Sequence, residues 1–369
     1  MEKLFNRRNF LGIIGTLPFL KTTAFSQELE ENNIKNIKEE TEVFPAEIVP
    51  TTSKTTPNLI IPPILKKGDT VAFTAPASPI GKGQIANYTR YFKEKGCEII
   101  IGNTIAKQKN NYRYFSDSDE NRAEEFNQFI ADEKIKAIIC GRGGYGSMRI
   151  LRFLDYETLK KNPKIVMGYS DITALLLAIY KQTGITAYHG PVACSRLTAE
   201  HKKNIDQLFF SEEDIEYKIP DMKFLSSDSN DLQIKGRLQG GNLTLVTTSL
   251  GTPYAIDLSD SLFFIEDTSE LAHNIDRMLA SLLNAGELEK CKAILVGKMK
   301  NFFQRGNFSP NRAFTISEVI EQYAEKVNVP CIYNLPFGHV ESHCIFPIGM
   351  EAEIDTKLKK INVFRKKNN

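Results

Sequence analysis

The chain has 369 residues, enough for two domains, and carries 47 basic against 45 acidic residues for a formal net charge of +2. Because these charges are interspersed and nearly balanced, they exclude the basic face of a nucleic-acid binder and a polybasic membrane patch. The six cysteines (Cys97, Cys140, Cys194, Cys291, Cys331 and Cys344) lack CxxC or finger spacing, so buried free thiols are expected and no metal site is.

Residues 1–26 differ in kind from the rest. Arg7 and Arg8 precede Asn9, Phe10 and Leu11, an apolar stretch runs to Leu20, and small residues surround Ser26. The apolar stretch is too short to span a bilayer, and the layout predicts a twin-arginine-type export signal cleaved near Ser26. That places the mature protein in the periplasm, touching the membrane only transiently. An uncleaved anchor, or a basic arm on a cytoplasmic protein, are the other readings. Residues 27–62, rich in Glu, Asn, Lys, Thr and Pro without apolar periodicity, predict a disordered tether.

From residue 63 the text alternates. Strands are predicted at TVAFTAPA, CEIIIG, IKAIIC and KIVMGY, with helices at residues 84–95 and 119–132 between them. Short apolar strands separated by amphipathic helices predict a doubly wound parallel α/β sheet over residues 63–197, with ligands bound beyond the strand C-terminal ends. Gly141 and Ser170 both fall at such ends. Residues 198–231 are charged and broken by Pro220 and a Ser-Asp-Ser-Asn run, which reads as a connection between domains. A smaller, strand-rich α+β domain is expected over residues 232–365, with helices near 269–284 and 316–326.

Four segments carry candidate chemistry. In CGRGGYGSMRIL, the glycines at 141, 143, 144 and 146 bend the chain so that N–H groups face a crevice, where they suit an oxyanion or phosphate; a plain tight turn is the alternative. Its spacing is not that of a dinucleotide fingerprint. In GYSD, Ser170 or Asp171 can cap the helix that follows, or Ser170 can be a nucleophile on a strained elbow. Ile172 stands where an α/β-hydrolase elbow has glycine. In SLFFIEDTSELAHNIDRML, Glu266 ends a strongly apolar strand with no capping task, and a buried carboxylate needs a partner. Asp267 and Ser269 read as ordinary caps for the next helix. Of the histidines, His201 lies in charged surroundings and is expected to be solvated. His189, ending a strand, is placed to line the crevice. His339 follows a glycine in an apolar turn, which suits either a presented imidazole or a packed one.

The ordered set GRGGYG (141–146), GYSD (168–171), YHGP (188–191), LQGGNLTLV (238–246), FIED (264–267), PFGH and PIG resembles the serine LD-carboxypeptidases, a family that includes muropeptide-trimming enzymes and the microcin C self-immunity peptidases. The resemblance runs from about residue 62 to 363. It implies a flavodoxin-like N-terminal domain, a smaller C-terminal domain, a site between them and a homodimer. Carried over by position, Ser170 is the nucleophile, Glu266 the acid and His339 the base of a triad. The oxyanion hole then uses backbone N–H groups of Gly143, Gly144 and Asp171. Arg142, Tyr145, Asn242 and His189 are candidates for substrate contact. The implied reaction needs no cofactor and no metal: hydrolysis of the L,D amide bond that holds the terminal D-alanine of a murein tetrapeptide. Two alternatives stand beside it, hydrolysis of peptide-nucleotide antibiotics and a non-catalytic periplasmic peptide-binding protein on the same scaffold.

Overall fold

The computed structural model describes residues 56–107, 113–225, 231–299, 313–341 and 344–365. The expected export signal and all but the end of the expected tether lie outside these residues. Five parallel strands form the body of the first sheet: β1 (Thr70–Thr74), β2 (Glu98–Ile101), β3 (Ile135–Cys140), β4 (Ile165–Gly168) and β5 (Tyr188–His189). Their spatial order is 5-4-3-1-2, the flavodoxin-like order, with a topological switch between β1 and β3. Helices α1 (Ala86–Glu94) and α2 (Asp119–Ala131) are among the crossovers. The inner strands β1 and β4 are buried along their whole length, as expected for parallel strands covered on both faces.

Ser147–Ile150 makes one short turn of helix, α3, after the glycine cluster; α4 (Tyr156–Lys161) and α5 (Thr173–Thr183) follow. Nearly every residue of α5 is buried, since it packs on β4 on one side and on β8 (Gln233–Asn242) on the other. A helix apolar all round must be covered all round, and here the second sheet supplies the far cover.

The segment expected to be a mere connection is structured. It holds helix α6 (Ala199–Phe209) and strands β6 (Ile215–Lys218) and β7 (Lys223–Phe224), which form the two edges of the second sheet. Within α6, His201 is fully buried, with Nδ1 2.9 Å from the Arg196 carbonyl, so its charged neighbourhood in sequence did not predict solvation. The second sheet has eight strands in the order β6-β14-β13-β8-β9-β10-β11-β7, where β9 is Ser261–Glu266, β10 Ala293–Val296, β11 Cys331–Tyr333, β13 Glu351–Asp355 and β14 Lys360–Phe364. Strands β8 to β11 run parallel and the outer ones antiparallel. Further helices in this half are α7 (Leu243–Thr248), α8 (Ala272–Asn284) and α9 (Ile316–Val327).

Two crossings tie the chain together. Strand β12 (Phe346–Pro347), from the C-terminal half, adds antiparallel to β5 of the first sheet, with Phe346 opposite His189. Residues 56–62, expected in the tether, are instead joined to the body. Ile60 donates its N–H to Gly184 (2.8 Å) and accepts from Thr186 (2.9 Å), so an isoleucine run extends backbone pairing rather than staying solvated. All six cysteines are free thiols, and only Cys194 is exposed.

Candidate active site

The C-terminal tips of β1, β3 and β4 converge at the switch point. Ser78, beyond β1, donates its N–H to the Gly143 carbonyl (3.2 Å), and its Oγ accepts from the Tyr145 N–H (3.1 Å). These bonds hold the glycine turn against the corner that follows β4. At Gly143 a Cβ would lie 3.0 Å from Ser170 Cβ and 3.4 Å from the Asp171 nitrogen, so any larger residue would press on the serine corner. Gly144 is exposed beside it, and Tyr145 and Arg142 stand exposed on the rim.

Ser170 is half-buried and has φ of +62°, a left-handed conformation that non-glycine residues rarely adopt. It opens a single 3-10 turn, Ser170–Ile172, that runs into α5, and no side-chain cap bond is formed there. The capping reading of this serine is therefore set aside; the backbone is held in a strained elbow. Asp171 does cap, but a different helix. Its carboxylate accepts from the N–H groups of Gly146 (3.3 Å) and Ser147 (2.8 Å), at the start of α3.

The other half of the site comes from the second sheet. Glu266, at the tip of β9, is fully buried, and its Oε2 lies 2.7 Å from Nδ1 of His339, a ring that keeps about a quarter of its surface in solvent. Residues 73 positions apart meet because Gly338, with φ of +97°, brings its backbone onto the glutamate; a Cβ there would sit 2.7 Å from Glu266 Cβ. The imidazole of His339 meets the ring of Tyr169 edge-on, with centroids 4.9 Å apart. Tyr169 immediately precedes Ser170, so the histidine and the glutamate lie beside the serine corner. Burial first, and then the charge of Glu266, push the Tyr169 hydroxyl above its ordinary range, while a bond to Ser195 works the other way.

Three expectations are corrected. Asp267 caps α7, not the helix that follows it in sequence. Its oxygens accept from Thr244 N–H (2.9 Å), Thr244 Oγ1 (2.8 Å) and Asn242 Nδ2 (3.1 Å). Burial and then the neighbouring Glu266 charge raise its proton affinity, opposed by the Thr268 N–H and the two Thr244 donors. Asn242 is the N-cap of α7, its Oδ1 accepting from Leu245 N–H (3.3 Å), and its side chain is buried rather than exposed on the rim. His189 does not line the crevice: it is fully buried, with Nε2 4.0 Å from Oε1 of Glu266, and burial, helped by the nearby His339, pushes its imidazole down to about 3.

The local patterns did not reveal Ser78, Tyr169 or Arg122. Arg122 lies in α2, where the amphipathic pattern predicts a solvated charge. Instead it is fully buried over the Phe115 ring, donating to the carbonyls of Pro76, Asp117 and Gly146, and pairing with Asp119. It thereby clamps the tip of β1 to the glycine turn. Among the described residues, no three His, Cys, Asp or Glu side chains group as a metal site.

Comparison with known proteins follows the same division of the chain. Residues 71–190 match the LD-carboxypeptidase N-terminal domain and residues 235–354 the LD-carboxypeptidase C-terminal domain. A probable murein peptide carboxypeptidase of Bacillus subtilis is 32% identical over 303 residues, covering 81% of this chain and 92% of that protein. The microcin C7 self-immunity protein of Escherichia coli is 28% identical over 332 residues, covering 81% and 94%. Among solved structures, a muramoyltetrapeptide carboxypeptidase from Oxalobacter formigenes superposes with a TM-score of 0.68 at 26% identity, covering 80% of this chain and 97% of that one.

Proposed function

Since the chain belongs to the LD-carboxypeptidase family and is a carboxypeptidase, we propose that it removes the terminal D-alanine from murein tetrapeptides by a Ser170–Glu266–His339 mechanism. The observation that carries this reading is the 2.7 Å bond between Glu266 and His339, set against the tyrosine that precedes a strained serine. A serine hydroxyl is a weak nucleophile until a base takes its proton. With Nδ1 bonded to Glu266, His339 has Nε2 to receive the Ser170 proton as Oγ attacks the scissile carbonyl. Glu266 fixes the tautomer and offsets the charge that forms on the ring. The developing oxyanion is met by backbone N–H groups of the Gly143–Gly144 turn and of Asp171, each worth about 3 kcal/mol in such sites. The C–N bond then breaks, His339 returns the proton to the departing D-alanine amine, and water releases the acyl group by the same steps in reverse.

Support for a murein substrate comes from the Bacillus and Oxalobacter relatives, and we assign Arg142, exposed beside the glycine turn, to a peptide carboxylate. Mass spectrometry of a purified disaccharide tetrapeptide after incubation tests it: loss of one alanine is expected. An unchanged tetrapeptide together with cleavage of an aminoacyl-nucleotide would replace this substrate with that of the immunity branch. We place the reaction outside the cytoplasm on the pattern of residues 1–26 alone. Arg7→Lys with Arg8→Lys should then trap the full-length chain in the cytoplasm, and unchanged export would remove the twin-arginine assignment.

A further inference from the structure

Two histidines flank one buried carboxylate, and the reaction above uses only one. Oε2 of Glu266 is bonded to His339, whereas Oε1 is buried without a hydrogen-bond partner among the described residues. Facing Oε1 at 4.0 Å is Nε2 of His189, and neither ring nitrogen of His189 makes a hydrogen bond within normal geometry among the described residues. Such groups are rarely left unsatisfied together, and each leaves the other as the obvious remedy. The histidine is not free to seek another. Its backbone is paired to Gly168 on β4 and to Phe346 on β12, and its ring is wedged edge-on between Phe264 (5.4 Å) and Tyr169 (6.3 Å).

We propose that Nε2–H of neutral His189 donates to Oε1 of Glu266, making His189 a positioning residue that holds the carboxylate with Oε2 turned to His339. Closing 4.0 Å to a bond of about 3 Å takes only a small rotation of either side chain. The inference rests on the triad reading and adds to it a second donor on the acid. Neutrality matters to the role. The titratable groups facing His189 are Glu266 on β9, His339 beyond β11 and Tyr169 at the end of β4. A cationic ring here would compete with His339 for the carboxylate's charge; burial keeps His189 uncharged above about 3, so it orients Glu266 without opposing protonation of His339. Removing the donor concentrates charge on Glu266, which stabilises the His339 cation and moves the acid limb of the pH profile upward.

Nitrogen-15 NMR of the full-length enzyme, with the His189 ring assigned through its bonds to the His189 backbone resonances, should find the proton on Nε2 at neutral pH. His189→Phe, which suits the apolar surroundings, should lower kcat by about 10–100-fold with KM within about twofold, the loss expected for a reacting group displaced by a fraction of an ångström. Its acid limb should rise by about half a unit or more. His189→Gln, whose amide nitrogen can replace Nε2, should recover most of the loss. A proton on Nδ1 overturns the proposal even if neither variant folds; so does equal impairment of the two variants with an unmoved acid limb. A wrong nucleophile would show instead as activity in Ser170→Ala, whatever the tautomer of His189.

Discussion

Two strand tips face each other across the crevice, and they are built alike yet act by different physics. Each carries a candidate site residue followed by an aspartate: Ser170 and Asp171 just beyond β4, and Glu266 at the end of β9 with Asp267 next. In each, the aspartate is buried and caps a helix that comes earlier in the chain, α3 for Asp171 and α7 for Asp267, pinning the corner to a neighbouring element. The serine corner works through its backbone, with a strained φ and N–H groups gathered beside Gly143. The glutamate corner keeps ordinary strand geometry and works through a buried charge that needs His339 to be tolerable. In the mechanism we propose, the nucleophile and oxyanion site would thus come from main-chain shape, and the acid–base pair from side-chain electrostatics.

The largest effect should come from breaking the first corner at its hydroxyl. Ser170→Ala is expected to lower kcat by about 10⁶-fold while peptide binding, measured by calorimetry, persists. Activity within tenfold of wild type would remove Ser170 from the reaction. Breaking the second corner should cost less, because Glu266→Gln leaves nucleophile, base and oxyanion donors in place; a loss of about 10⁴-fold in kcat is expected in steady-state assays. A loss equal to that of Ser170→Ala would mean the two corners are not separable in this way.

Gly338→Ala sharpens the same contrast without touching a reacting group. Its Cβ would press on Glu266 and its φ disfavours alanine, so kcat should fall by about 10²-fold through misplacement of the acid–base pair. Ser170 should remain exposed to a small phosphonate under conditions where His339 is not limiting, and loss of that labelling would argue that the corners are coupled. Asp171→Ala and Asp267→Ala should both act on stability, each lowering it by roughly 1–2 kcal/mol for a lost cap, read as a shift of the denaturation midpoint. If only one is destabilised, the structural likeness of the corners has no energetic counterpart.

The last effect is a slope that vanishes at neutral pH. His189 is pushed down to about 3 in the folded chain, below its unfolded value near 6.5, so the unfolded state binds more protons between these limits. Its contribution is therefore present above the unfolded value and is lost as pH falls toward the folded one, by at most about 1.4 kcal/mol per pH unit. Denaturation followed from pH 7 to pH 4 should show a shallower loss in His189→Phe than in wild type. Parallel curves would mean that this imidazole is not held neutral by its burial.

Much of this was legible in the linear text because it depends on neighbours in sequence. Alternating apolar strands and amphipathic helices imply a doubly wound sheet, and a carboxylate ending the run SLFFIE must be buried and in want of a partner. Short polar residues after a strand announce capping, as Asp171 and Asp267 did. What local pattern cannot specify is which helix is capped: both aspartates reach past the helix that follows to one brought near by the sheet, since a carboxylate bonds to whichever free N–H groups lie within reach. The same holds for Asn242, consumed as a cap, for His189, sealed in by β12 from the far half of the chain, and for Arg122, whose amphipathic helix gave no hint of burial. Burial, the φ of Ser170 and the meeting of Glu266 with His339 are decided by contacts across dozens of residues, and their energies come into being only once the two sheets have packed around α5.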